Sequence, residues 1–108
     1  MEKWKFYKRR KKTLTMRQIL IEKYIEPSTI ETDGVWIYKT WLNKDGYLHS
    51  FLGHPAMVFY SEGFIVSQFW CEKDKQHRSR NLPAEIHYYN EKTTRKSWYK
   101  KGKLIERR

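Results

Sequence analysis

Between Pro55 and Trp98 the chain writes one pattern twice. Pro55-Ala56 corresponds to Pro83-Ala84, Tyr60 to Tyr88 and Trp70 to Trp98, each pair 28 residues apart. Four matches at one offset mark an internal repeat. A repeat restricts a chain to units that bury their apolar faces against one another.

Each copy reads as a β-hairpin. In the first, Met57-Val58-Phe59-Tyr60 and Phe64-Ile65-Val66-Ser67-Gln68-Phe69-Trp70 flank Ser61-Glu62-Gly63, a short Gly-containing turn. In the second, Ile86-His87-Tyr88-Tyr89 and Thr93-Thr94-Arg95-Lys96-Ser97-Trp98 flank Asn90-Glu91-Lys92. The last of these strands is polar and lysine-bearing, which suits an exposed sheet edge, where charge discourages pairing with another chain. A degenerate earlier copy runs from Val35-Trp36-Ile37-Tyr38-Lys39-Thr40-Trp41 into Lys44-Asp45-Gly46-Tyr47-Leu48-His49 and needs one extra residue to align. Two and a half units result, from about Gly34 to the C-terminus.

The motif Trp98-Tyr99-Lys100-Lys101-Gly102-Lys103-Leu104 resembles the MORN-like repeat variants of phages and large DNA viruses. So do Leu48-His49, His77-Arg78, Gly53-His54-Pro55-Ala56, Leu82-Pro83-Ala84 and Tyr88-Tyr89. His54 interrupts the family's Gly-Pro-Ala, and Leu82 replaces its Gly. The resemblance covers about two thirds of the chain. It implies a twisted antiparallel sheet of stacked hairpins and a viral or phage accessory protein. It transfers no catalytic residues, so it speaks to fold more than to function.

The expected fold class is mainly β (α+β): a twisted antiparallel sheet of five or six strands over residues 34–108, with one N-terminal α-helix packed on it. Residues 1–12 form a basic, aromatic N-terminal segment, and 13–108 a single domain. In a chain of 108 residues, 17% aromatic content compensates for a thin core. Trp36, Trp41, Val58, Tyr60, Val66, Trp70, Ile86, Tyr88 and Trp98 are the expected core. The helix is expected over about 15–26. Thr15 caps it and Gln18 completes a capping box. Met16, Ile19, Leu20 and Tyr24 form its sheet-facing stripe, widened by Ile21 and Ile25, and Pro27 ends it. A helix that docks on a partner is the alternative. Pro27-Ser28-Thr29 and Thr32-Asp33-Gly34 then form a loop into the first strand.

The net charge of +11 is concentrated at the two ends. Residues 1–12 carry a net +6 and residues 92–108 a net +7, while 13–91 carry −2. Such asymmetry points to an acidic partner. The expected contacts are Lys3, Trp4, Lys5, Tyr7, Lys8, Arg9, Arg10, Lys11 and Lys12 from one end. Arg95, Lys96, Tyr99, Lys100, Lys101, Lys103, Arg107 and Arg108 come from the other. Cations neutralise phosphates, and aromatic faces stack on exposed bases. Nucleic acid or a nucleoprotein is the favoured partner, and an acidic host-protein surface, such as that of a defence factor, is the alternative.

Chemistry is sparse. His49, His54, His77 and His87 lack the close spacing of zinc ligands, and His49 and His77 occupy equivalent repeat positions. Cys71, the single cysteine, excludes an internal disulfide and reads as a small filler. Asp33, Asp45, Glu62 and Asp74 fall in turns. No catalytic residue, metal or cofactor is expected. A small metal-dependent nuclease, for example through His77 with Asp74, is a remote alternative. With no apolar run of signal or membrane length, the expected location is cytoplasmic, in the host cytoplasm if the chain is viral, with no membrane contact. A monomer or an edge-strand dimer is expected.

Overall fold

The computed structural model describes residues 11–90 and 94–108. Within them the chain forms one helix, α1 (Met16–Tyr24), and nine strands. These are β1 (Thr29–Thr32), β2 (Trp36–Thr40), β3 (Met57–Ser61), β4 (Phe64–Phe69), β5 (Cys71–Glu72), β6 (Lys75–Gln76), β7 (Glu85–Tyr88), β8 (Thr94–Lys100) and β9 (Lys103–Arg107). Seven strands form one antiparallel sheet in the order β1-β2-β3-β4-β7-β8-β9, and β5 pairs with β6. The mainly β architecture read from the sequence is therefore present.

The repeat persists in the hydrogen bonding. Trp70 Nε1 donates to the Gly53 carbonyl at 2.8 Å, and Trp98 Nε1 to the Asn81 carbonyl at 2.9 Å. Gly53 and Asn81 occupy equivalent repeat positions, each ending a pair of residues at positive φ: Leu52-Gly53 and Arg80-Asn81. Glycine adopts this conformation without strain, and asparagine tolerates it better than most side chains. Asn81, not Leu82, thus stands at the repeat's glycine. Ala56 and Ala84, both fully buried, donate to the carbonyls of Phe69 and Ser97 at 2.8 and 2.9 Å. In the earlier copy, Trp41 Nε1 donates to the Ile25 carbonyl at 2.9 Å, which ties the sheet to the end of the helix.

Tight turns stack beside the sheet in the same rhythm. Lys73-Asp74 and Lys101-Gly102 are each two consecutive residues at positive φ, the mark of a primed hairpin turn. Asp74 N donates to the Leu48 carbonyl, and Gly102 N to the Gln76 carbonyl, each at 2.9 Å. The extra residue of the first copy falls in the turn at Asn43, whose Oδ1 accepts from Asp45 N and Tyr47 N.

The core lies on one face of the sheet. Trp41, Val58, Ile65, Trp70, Ala84, Ile86 and Tyr88 are buried together, with Leu14, Ile25, Phe51, Tyr60 and Tyr99 packed against them. The expected core included Val66 and omitted Ile65, and a β-bulge reverses them. Tyr60 pairs with Ile65 and Phe59 with Ser67, so Val66 has no partner opposite it. One unpaired residue flips the alternation. Ile65 turns into the core at 1% exposure and Val66 turns to the opposite face. Trp36 also faces away from the core at 38% exposure, and Trp98 is only half-buried.

Three further expectations are corrected. The strand 94–100 is not the edge, because β9 pairs along it and is itself exposed throughout. The expected loop contains a strand, since β1 pairs with β2 across a turn in which Asp33 Oδ1 accepts from Val35 N and Trp36 N. The helix begins with the expected Thr15–Gln18 capping box but presents a different face to the sheet. Ile21 is buried and Ile25 packs on the core. Met16, Ile19, Leu20 and Tyr24 point outward at 73, 49, 49 and 84% exposure.

A polar anchor accounts for that rotation. Glu22, on the inward side of α1, lies 3.3 Å from Lys39 Nζ on β2 and 3.3 Å from Nε2 of the buried His54. His54 packs edge-on to Trp41 with ring centroids 4.6 Å apart. Turning the Met16 stripe inward would strip Glu22 of both partners, and a buried carboxylate without partners is strongly disfavoured. Burial pushes the Glu22 carboxyl upward, but His54 and Lys39 outweigh it and hold the group below its ordinary 4.5.

Two measurements check these assignments. Ile65→Ala should cost about 2–5 kcal/mol in urea unfolding, whereas Val66→Ala should cost less than about 1 kcal/mol. Equal costs would contradict the bulge. The depressed Glu22 value makes its stabilisation fully present above the unfolded carboxyl's pKa and lost as pH falls through the lower folded value. Glu22→Gln should therefore flatten the acid limb of stability measured between about pH 5 and 3.

Candidate nucleic-acid interface

The C-terminal hairpin presents the basic residues. Its register places Arg95 opposite His87, Lys96 opposite Ile86, Lys100 opposite Lys103 and Arg107 opposite Ser97. Alternation divides these side chains between the two faces of the sheet. Arg95 and Arg107 share the face away from the core. Lys96 lies on the other face, where Arg108 follows the ladder by exchanging backbone hydrogen bonds with it at 2.9 and 2.7 Å. Lys100 and Lys103 meet directly across the hairpin, with Lys101 in the turn between them. Like charges directly opposite on a sheet are destabilising, and a bound anion relieves that repulsion.

A cleft opens between this hairpin and the loop 77–81. Its volume is about 510 Å³, and Arg78, Arg80, Lys100 and Arg108 line it around Trp98. The Arg108 guanidinium lies over the Trp98 ring, 4.8 Å from its centroid, and pairs with Glu106. Arg78 lies over Trp70 at 3.8 Å and donates to the Pro83 carbonyl at 3.0 Å. Burial pulls the Arg78 guanidinium below its ordinary value, while Tyr88 opposes the shift. An arginine guanidinium is not deprotonated in proteins, so Arg78 remains a cation. The cleft therefore sets four cations against the single carboxylate of Glu106.

The predicted contacts divide among several places. Lys100 and Arg108 line the cleft, with half-buried Tyr99. Tyr99 packs on the core, and its hydroxyl lies 3.5 Å from Arg107 Nη2. Arg107 Nε also donates to Ser97 Oγ at 3.2 Å. Lys101 and Lys103 are exposed at the hairpin tip, beside Lys75 of the neighbouring ribbon. Lys11 is exposed, but Lys12 is a brace: its carbonyl accepts from Ile65 N at 2.8 Å and its ammonium lies 5.8 Å from the Tyr88 ring centroid. Lys3, Trp4, Lys5, Tyr7, Lys8, Arg9 and Arg10 lie outside the described residues.

Sequence reasoning missed Arg78 and Arg80. Summed over residues 13–91, their charge vanishes into a slightly negative total. Their signal was positional, because Asn81 precedes Trp98 by the same 17 residues that separate Gly53 from Trp70.

It also missed a row of rings on the face away from the core. Tyr38 and Phe59 meet edge-on at 5.5 Å between centroids, Phe59 and Phe69 at 5.6 Å, and Phe69 and His87 at 5.5 Å. His87 then stacks on Tyr89 at 6.1 Å with an interplanar angle of 18°. Trp36, Tyr38, Met57, Phe59 and Val66 border an open depression of about 540 Å³.

His49 N and His77 N donate to the carbonyls of Trp41 and Trp70 at 3.0 and 3.1 Å, so their repeat equivalence is structural. His77 Nδ1 accepts from Lys101 N at 3.1 Å. Burial, with a smaller contribution from Asp74, pushes the Cys71 thiol up to about 11, so it is protonated at neutral pH. Among the described residues, no three His, Cys, Asp or Glu side chains group to hold a metal ion. Nor is any described helix long and apolar enough to cross a membrane.

No family of known proteins, no curated protein and no solved structure matches the chain.

Proposed function

We propose that this protein is a non-catalytic module that binds nucleic acid, free or in a nucleoprotein, through its basic cleft and C-terminal hairpin. The cleft carries the reading: Arg80, Lys100 and Arg108 line it beside Trp98, with Arg78 over the neighbouring Trp70 and Glu106 as the opposing carboxylate. Planar guanidinium groups suit bidentate phosphate contact. The paired Lys100 and Lys103 add positive potential along the rim. Contacts of this kind are made to the phosphate backbone and are largely independent of sequence. A viral or phage accessory role, in the host cytoplasm, is part of the proposal and rests on the repeat residues alone.

The outward stripe of α1 supports a second reading, a protein-binding adaptor or inhibitor of a host factor. Met16, Ile19, Leu20 and Tyr24 form an apolar surface on a helix held in place by Glu22 and Ile21. Amphipathic helices present such i, i+3, i+4 anchors to hydrophobic grooves.

Titration of fluorescent duplex DNA across a salt series tests the first reading. Affinity should fall by about 0.9 log units per log unit of salt for each phosphate neutralised, and Arg80→Ala with Lys100→Ala should lower that slope by about 2. Absence of binding at low salt would refute it. For the second reading, Leu20→Ser with Tyr24→Ser should change stability by less than about 0.5 kcal/mol per site, because neither side chain is buried. The pair should abolish nuclease-resistant capture of a host protein. Retained capture by the variant would exclude the stripe as the contact.

A further inference from the structure

The face of the sheet opposite the core is organised in lanes that cross the strands. One lane follows the register through Glu31, Tyr38, Phe59, Ser67, His87 and Arg95. A second runs through Thr29, Thr40, Met57, Phe69, Glu85, Ser97 and Arg107. Both end in an arginine on the β8–β9 side. The first begins at a carboxylate on β1, where Glu31 accepts from the Tyr38 hydroxyl at 2.5 Å. Rings fill the middle, and the small side chains of Ser67 and Ser97 lie buried among their neighbours, at 5 and 1% exposure.

We infer that this face is a platform for single-stranded nucleic acid, with unpaired bases against the aromatic row and phosphates at Arg95 and Arg107. The inference rests on the proposed nucleic-acid reading and names the strand state and the surface that reads it. Three observations carry it. The apolar surface of this face is mainly rings, with Met57 and Val66 beside them, and every base has a π-face that stacks on a ring. The row is polarised: among the described residues, the cations on its lanes stand at the end it shares with the basic hairpin. Arg95 lies over the Tyr89 ring, 6.0 Å from its centroid, so a base stacked at Tyr89 has a cation beside it. From β4 to β9 the lane spans about 14 Å at the usual interstrand spacing, a reach of a few nucleotides.

The rings are also held in position before any ligand arrives. His87 Nδ1 is 2.7 Å from Ser67 Oγ, and its Nε2 is 3.3 Å from Glu85 Oε1. Both ring nitrogens are engaged, so the imidazole supports the Tyr89 ring rather than competing for base edges. Tyr89, at 51% exposure, is the most open ring of the row. Fixed side chains lose little freedom on binding. Duplex DNA buries its bases and offers this row nothing to stack on, so it is restricted to the cationic surfaces.

The test uses the full chain with three probes: fluorescent 12-nucleotide oligothymidine, oligouridine of the same length and a 12-base-pair duplex. Tyr89→Ala should weaken binding of the single strands by about five- to hundredfold and leave duplex affinity and its salt slope unchanged. A photocrosslink from 5-iodouracil-substituted oligonucleotide, located by mass spectrometry, should fall on Tyr38, Phe59, His87 or Tyr89. This readout does not depend on the variant's stability. Equal binding of single strands and duplex, both indifferent to Tyr89→Ala, would overturn this inference and leave the phosphate-binding reading standing. Crosslinks confined to the cleft around Trp98 would do the same. Failure of every probe to bind at low salt would overturn both.

Discussion

An indole N–H packed against a sheet requires a partner, and three such donors, on buried Trp41 and Trp70 and half-buried Trp98, hold this structure in register. Trp41, Trp70 and Trp98 each reach back to a main-chain carbonyl, those of Ile25, Gly53 and Asn81. In the two closest copies the acceptors Gly53 and Asn81 are both at positive φ, and Ala56 and Ala84, three residues further on, are fully buried. The 28-residue spacing of Pro, Ala and Trp coincides with this shared arrangement.

The repeat was legible because it is written in residues with few substitutes. Trp, Pro, Ala and Gly each satisfy a specific steric or hydrogen-bonding demand, and their spacing carried over directly into paired strands and stacked turns. Period-two and helical patterns fared worse where a single local event reset them. A bulge at Val66 exchanged the inward residue of β4 for its neighbour, which hydropathy alone does not report, since Ile65 and Val66 are both apolar. On α1 the most apolar stripe lost to the stripe containing Glu22. Summed apolar character favoured Met16, Ile19, Leu20 and Tyr24, but the buried His54 and Lys39 offer partners only to a carboxylate. His54 had looked like an interruption of the Gly-Pro-Ala pattern. It is the residue through which the helix is oriented.

The candidate site was legible in half. Counting charge by segment located the C-terminal cations, because they are consecutive in the chain. It concealed Arg78 and Arg80, which join them only through the fold. The aromatic row was hidden for a different reason. Aromatic residues are expected in a core, and nothing in a β-strand's composition says which of its two faces is covered. Only the register, which aligns Tyr38 with Phe59 and Ser67 with His87, shows that rings accumulate on the face the helix does not cover.

A repeat fold of this kind separates what must stay constant from what can change. The tryptophan clamps, the buried alanines and the stacked turns use main-chain groups and a few inward side chains. Outward positions are left to vary from copy to copy, and they differ sharply here. The turn at Lys73-Asp74 carries a carboxylate whose Oδ1 accepts from Leu48 N at 2.5 Å. The equivalent turn, Lys101-Gly102, has lost that carboxylate and is flanked by Lys100 and Lys103. Its backbone amide still docks on Gln76, so the turn is held although its lysines repel one another. Structure is thus supplied by the neighbouring unit, while the surface of β8, β9 and their turn carries concentrated charge. The cationic surface lies on β8 and β9, the last two strands in the order of the described sheet, where the pairing of β9 with β8 fixes the register.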